Sequence, residues 1–168
     1  MAQEVEIKET IAWIKEFVIK HNLCPFANKP VSEKKVKYEL VNESIGNELK
    51  NKFLEEVRYL ISDPNISNSF LVCPKLNGDF LSYIHFIYEL EECLVQEELE
   101  DAYQVASFHP LYQFAGTLPG DVTNRTNRSP HALIHILRGA EMEQAIKQHG
   151  NTDQIPFQNI EKMKKLFQ

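Results

Sequence analysis

Two stretches of this chain carry side chains able to do chemistry. The first is Leu23-Cys24-Pro25-Phe26-Ala27. A cysteine just past a helix can be a thiolate nucleophile or a metal ligand, provided a positive neighbour lowers its pKa. None is adjacent in sequence, so the partner must come from elsewhere in the fold. The plainer alternative is a small apolar side chain in a turn. Ala27 stands where a dithiol redox motif needs its second cysteine. Cys73-Pro74 is another Cys-Pro pair and invites comparison with haem-regulatory dipeptides, but Cys73 ends an apolar run and reads as core. Cys93 lies among acids, which raise a thiol's pKa.

The second stretch runs from Ser107 to Arg138. Three of the six histidines and three arginines fall within these 30 or so residues. The residue types suggest an anion site. Arg125 and Arg128 can fork onto a carboxylate or phosphate. His109 can serve as acid or base near neutral pH. Ser129-Pro130 resembles a helix start, whose free N–H groups would add positive charge. The alternative is that Asn127 and the arginines pin a long loop to the body. On a helix, His131 and His135 would sit four apart, a spacing that allows two metal ligands on one face. No acid lies between them, the pair alone is a weak signal, and His135, in an apolar run, reads rather as a hydrogen-bonded core histidine.

These residues need elements to position them. Ile7, Ile11, Ile14 and Val18 recur at helical spacing and predict a first helix over about Val5 to Lys20, ended by Cys24-Pro25. Val36, Tyr38 and Leu40 alternate with charged residues, as in a half-exposed strand. Asn42 or Ser44 can cap a second helix with the stripe Leu49, Phe53, Val57 and Leu60. Phe70 to Cys73 reads as a buried strand. Asp79 can cap a third helix carrying Phe80, Ile84, Ile87, Leu90 and Leu94. Gln104 to Ser107 is a further strand. Pro110 to Ser129 has no obvious structure, which often marks a functional loop. A helix is expected from Pro130 to about Arg138, restarting near Gly139 and running to Gln148. A fourth strand over Ala132 to Leu137 is the alternative. Ile160 to Phe167 forms a short terminal helix.

The alternation of strands and helices predicts an α/β fold: a single domain, 1–168, with a small, largely parallel or mixed sheet of three to four strands flanked by helices. In such sheets ligands gather beyond the carboxyl ends of strands, where His109 falls. The 168 residues suffice for one core. Three cysteines cannot all pair internally, so a secreted disulfide scaffold is excluded. With no apolar run near 20 residues and no basic, apolar leader at the N-terminus, a reduced, cytoplasmic protein without membrane contact is expected. The net charge is −6, and seven acids between Glu89 and Asp101 leave the rest of the chain at +1. No Lys or Arg occurs between Lys75 and Arg125. That run reads as the solvated end of a helix, or as a docking surface for a basic partner. Nucleic-acid binding needs a basic stripe, which is missing.

The segments Asn22 to Ala27, Phe108 to Thr117, Thr126 to Pro130 and His135 to Arg138, together with Ile155-Pro156 and Asn159-Ile160, resemble the bacterial family catalogued as domain of unknown function 1415. The likeness spans nearly the whole chain. It implies no reaction, but its motifs concentrate at positions matching Cys24, His109, Tyr112, Gln113, Asn127, Arg128, His135 and Arg138. Cys73 stands where that family usually has a histidine before proline, and His131 where it usually has an aromatic residue. Both departures argue against a required chemical role for Cys73 or His131.

Three functions compete. One is a small enzyme with a Cys24/His109 pair, its carboxylate or phosphate substrate held by Tyr112, Gln113, Arg125, Asn127, Arg128 and Arg138. Another is a non-catalytic module whose polar loop binds an anionic ligand or a partner. The last is a metal or haem site built from Cys24, His109 and His135. The residues name no cofactor and no oligomeric state.

Overall fold

Residues 4–168 are described by a computed structural model. The predicted strand–helix alternation produces β1 (Val36–Leu40), α3 (Asn47–Ser62), β2 (Asn68–Val72), α4 (Phe80–Gln96) and β3 (Tyr103–Phe108), preceded by α1 (Val5–Trp13) and the short α2 (Asn28–Ser32). The run expected as a helix from Pro130 is instead β4 (Leu133–Arg138), followed by α5 (Gly139–His149) and α6 (Ile155–Phe167). β-branched and apolar residues alternate here between two buried faces, and a strand with both faces covered reads as a continuous apolar run.

The sheet is mixed, in the order β1-β2-β4-β3. β1 and β2 are parallel, while β4 pairs antiparallel with both β2 and β3. β1, β2 and β3 therefore run the same way, and β4 fills the gap between the last two in reverse. The long crossovers through α3 and α4 keep the first three strands aligned.

Strand alternation divides the core. Leu71, Ile134 and Ile136 face α3 and α4, meeting Leu49, Phe53, Val57, Leu60, Phe86 and Leu90. Phe70, Val72 and Leu133 face the other way, toward Ile7 and Ile14 of the first helix. That helix is not α-helical to Lys20 as expected. Ile14–Ile19 is a π-helix, and its wider turn turns Val18 away from the sheet toward Leu23 and Met163 of α6.

Local chemistry explains two junctions. Asp79 caps α4 as expected, its Oδ1 accepting from the Ser82 N–H at 3.1 Å. The cap expected at Asn42 or Ser44 falls instead on Gly46, whose φ of 155° and ψ of −169° only glycine adopts without strain. Gly139 begins α5 where a Cβ would come within 2.6 Å of the Asp101 carbonyl oxygen.

Two polar ties close the fold. Buried Glu56 of α3 accepts from Lys37 Nζ of β1 and from Ser69 Oγ of β2, each at 2.5 Å. Burial opposes the Lys37 ammonium, but Glu56 and Glu39 outweigh it and hold its pKa above the usual value. Arg138, ending β4, donates to the carbonyls of Leu60 (2.5 Å), Asp63 (3.0 Å) and Ile66 (2.9 Å) at the end of α3. It thus supplies acceptors left over at a helix C-terminus with a positive donor. Charged hydrogen bonds of this kind contribute about 1.5–3 kcal/mol each at most, and not additively. Arg138→Met is therefore expected to cost roughly 3 kcal/mol of stability in urea unfolding; a loss under about 0.5 kcal/mol would show the fork to be dispensable.

Candidate functional site

The carboxyl ends of β1, β2 and β3 lie on one edge of the sheet, and the segment 109–129 leaves from the end of β3 there. It is a folded loop, built around Asn124. This fully buried side chain accepts from the Phe114 N–H and the Thr117 hydroxyl, both at 2.9 Å, and donates to the Leu118 carbonyl at 2.9 Å. Asp121 starts the 3-10 turn Val122–Asn127 by accepting from the Thr123 N–H. A loop of this length survives only if its inner backbone groups find partners.

The residues expected to grip an anion supply those partners. Arg128 donates to the carbonyls of Tyr112 at 3.0 Å and Pro119 at 2.7 Å. Asn127 donates from Nδ2 to the Ser107 carbonyl at 3.2 Å, while its own carbonyl accepts from the His109 N–H. Gln113 donates to the Thr117 carbonyl at 2.5 Å. The Tyr112 ring packs on Phe80 and Phe114. Arg125 lies over the ring of Phe167, 4.2 Å from its centroid, and so fastens α6 to the loop. Arg138 faces α3, far along β4 from its start. The helix N-terminus expected near Pro130 does not exist, because that run is a strand. Arg128 and Arg138 are thus taken up by backbone carbonyls, as the pinning alternative has it.

His109 is fully buried between Phe80 and Tyr83. Nδ1 accepts from the Leu111 N–H at 3.0 Å, so the proton lies on Nε2, which donates to the Leu76 carbonyl at 2.8 Å. Both ring nitrogens are thus taken by backbone, and neither meets Cys24. Burial lowers its pKa.

Cys24 packs instead on the small cluster of Val18, Leu23 and Met163. Burial raises its pKa, against the opposing pull of hydrogen bonds from the Phe26 and Ala27 backbone. Cys73 is sealed, and its thiol is pushed far up by burial. Cys93 is raised by burial and neighbouring acids, with Lys50 opposing. Alkylation followed by peptide mass should therefore show no thiolate below pH 8 at Cys24 or Cys93, and no reaction at Cys73 until the protein unfolds. Fast reaction of Cys24 at pH 7 would restore it as a nucleophile.

His135 stacks on Phe70 with ring centroids 3.8 Å apart and meets Asn68 Oδ1 through Nε2 at 3.0 Å. Burial pushes its pKa down to about 3. His131 lies off any helix: Nε2 meets Glu9 Oε2 at 2.6 Å, and Nδ1 meets Asn77 Nδ2 at 3.2 Å. The Asn77 orientation is set by Ala132, whose N–H donates to Oδ1 at 2.7 Å. Nδ1 must then accept, leaving the His131 proton on the Glu9 side. Among the described residues no three His, Cys, Asp or Glu side chains gather to hold a metal. The set Cys24, His109 and His135 is not assembled, because each makes different contacts.

A histidine neutral in the fold but free to protonate when unfolded destabilises the protein as pH falls. Below about pH 6.5 the unfolded state binds the extra proton; the folded state does so only near pH 3. Stability should therefore drop between pH 6.5 and 4 by up to about 1.4 kcal/mol per unit from His135, and His135→Gln should flatten that slope in urea titrations. An unchanged slope would place the acid sensitivity elsewhere.

An open cleft of about 570 Å³ lies past the carboxyl ends of β1 and β2, lined by residues 42–48 and Lys75. Glu43 and Glu48 outweigh Lys75 there, so the cleft disfavours an anion. The polar residues that organise this edge, Asn77, Asn124 and Glu9, were missed in the sequence because single asparagines and a helix-face glutamate have no periodic signature.

The surface of α4 is different. Leu81, Tyr88 and Val95 are 67 %, 56 % and 56 % exposed, seven residues apart, and form one stripe along the helix. Glu91 and Glu92 flank its second half, His85 its first. Glu89 is tied to Lys50 and Glu97 to Arg58, whereas among the described residues no Lys, Arg or His lies within ion-pair distance of Glu91 or Glu92.

No helix of the described residues is long and apolar enough to cross a membrane. No curated protein and no solved structure matches the chain. The family model described as "Protein of unknown function (DUF1415)" matches residues 5–168, nearly the full length and every motif discussed above, and the chain belongs to that family.

Proposed function

We propose that this chain is a cytoplasmic, non-catalytic module that binds a protein partner through the exposed face of α4. The observation carrying this reading is the stripe Leu81, Tyr88 and Val95, three large apolar side chains more than half exposed at heptad spacing. Helices pair along apolar seams with two positions in every seven, and this stripe supplies one of the two. Two further features support it. The side chains able to do chemistry at Cys24, His109, Asn127, Arg128 and Arg138 are engaged within the fold. The three free cysteines suit a reducing compartment. The enzyme reading with a Cys24/His109 pair loses its general base, since both His109 nitrogens are bound to backbone.

Photo-crosslinking in cells tests the proposal. A photoreactive residue at position 81, 88 or 95 should give a discrete crosslinked protein, and one at exposed Lys8 on α1 should not. Equal yields at all four positions, or none at α4, would overturn it.

A further inference from the structure

The α4 face also says what kind of partner fits it, if the partner-binding reading holds. We propose that the occupant is a second copy of this chain, its α4 lying antiparallel across the first with a two-fold axis at Tyr88.

The stripe is self-complementary only in that direction. The half of α4 from Phe80 to Tyr88 contains no acid, and the half from Glu89 to Gln96 contains Glu89, Glu91 and Glu92. A parallel pair would set Glu91 and Glu92 beside their own copies, where like charges repel. An antiparallel pair centred on Tyr88 sets Leu81 against the partner's Val95, and His85 against the partner's Glu92, which lies on the same flank of the stripe. Each acidic half then meets an acid-free half. The contact is isologous, as two-fold interfaces require, and closes without forming a filament.

Two acids without an ion-pair partner among the described residues flank this seam. Glu89 and Glu97, on the α3 side of the helix, already have Lys50 and Arg58. Glu91 and Glu92 have no cation within reach among the described residues, and neither hydrogen bond nor ion pair engages the His85 ring there. Tyr88, at the centre, is an amphipathic side chain of the type that dominates interface energetics. A single helix pair covers less than the about 800 Å² per partner of a standard interface. A weak, concentration-dependent dimer is the form such a contact takes.

Sedimentation of the purified full chain from about 1 to 200 μM, a range suited to weak association, is the test. A monomer–dimer equilibrium is expected. Tyr88→Glu should weaken it about 30-fold or more, with an unchanged circular dichroism spectrum because the side chain is exposed. His85→Glu should weaken dimerisation, and His85→Glu combined with Glu92→Lys should restore it, since each new lysine faces a new glutamate. A monomer throughout the range, a dimer indifferent to Tyr88→Glu, or a charge reversal that restores nothing would each overturn the proposal. Crosslinking in cells to a different protein at positions 81, 88 and 95, with the purified chain monomeric, would sink the self-association while leaving the partner-binding reading standing.

Discussion

The fold depends on β4 occupying the middle of the sheet. β3 has no other strand to pair with, and β2 would otherwise expose its inner edge. Both satisfy their backbone groups on a segment that the chain reaches after the long loop 109–129. The strand is anchored at its end by Arg138, whose guanidinium gathers carbonyls from α3 and the turn before β2. One side chain therefore joins the last strand to the first crossover. Pairings this distant in sequence close large loops before they are rewarded, which slows folds built on them.

The same requirement accounts for the polar loop. A chain that leaves β3, travels outward and returns as β4 carries many backbone groups that no sheet or helix can satisfy. Asn124, Arg128 and Asn127 serve as their partners, each reaching two or more groups. The guanidinium suits this because its donors are fixed in a planar fork. Residue types associated with catalysis are here used to hold a non-repetitive segment in one shape.

Histidine follows a similar pattern on both faces of the sheet. His109, fully buried, and His135, partly buried, are aromatic donors that pack against Tyr83 and Phe70 while reaching a carbonyl or an amide oxygen. Their neutrality follows from burial, and it makes the core sensitive to acid. Near neutral pH these two imidazoles therefore carry no charge into the interior.

The sequence by itself determined the elements whose signal is local. Alternation at Val36, Tyr38 and Leu40, the stripe Leu49 to Leu60 and the Asp79 cap act over one or two turns, and each formed as read. Family membership was legible because its motifs are contiguous strings. Only the tertiary structure decided what those strings do. Pro130 to Arg138 carries a helix start and an apolar run together, and it became a strand because β2 and β3 both needed a partner. Whether Arg128 meets an anion or a carbonyl depends on where the Tyr112 and Pro119 backbone comes to lie. That His109 would be sealed from Cys24 depends on which surfaces bury it. Such outcomes rest on contacts between residues far apart in the chain, and spacing along a sequence carries no record of them.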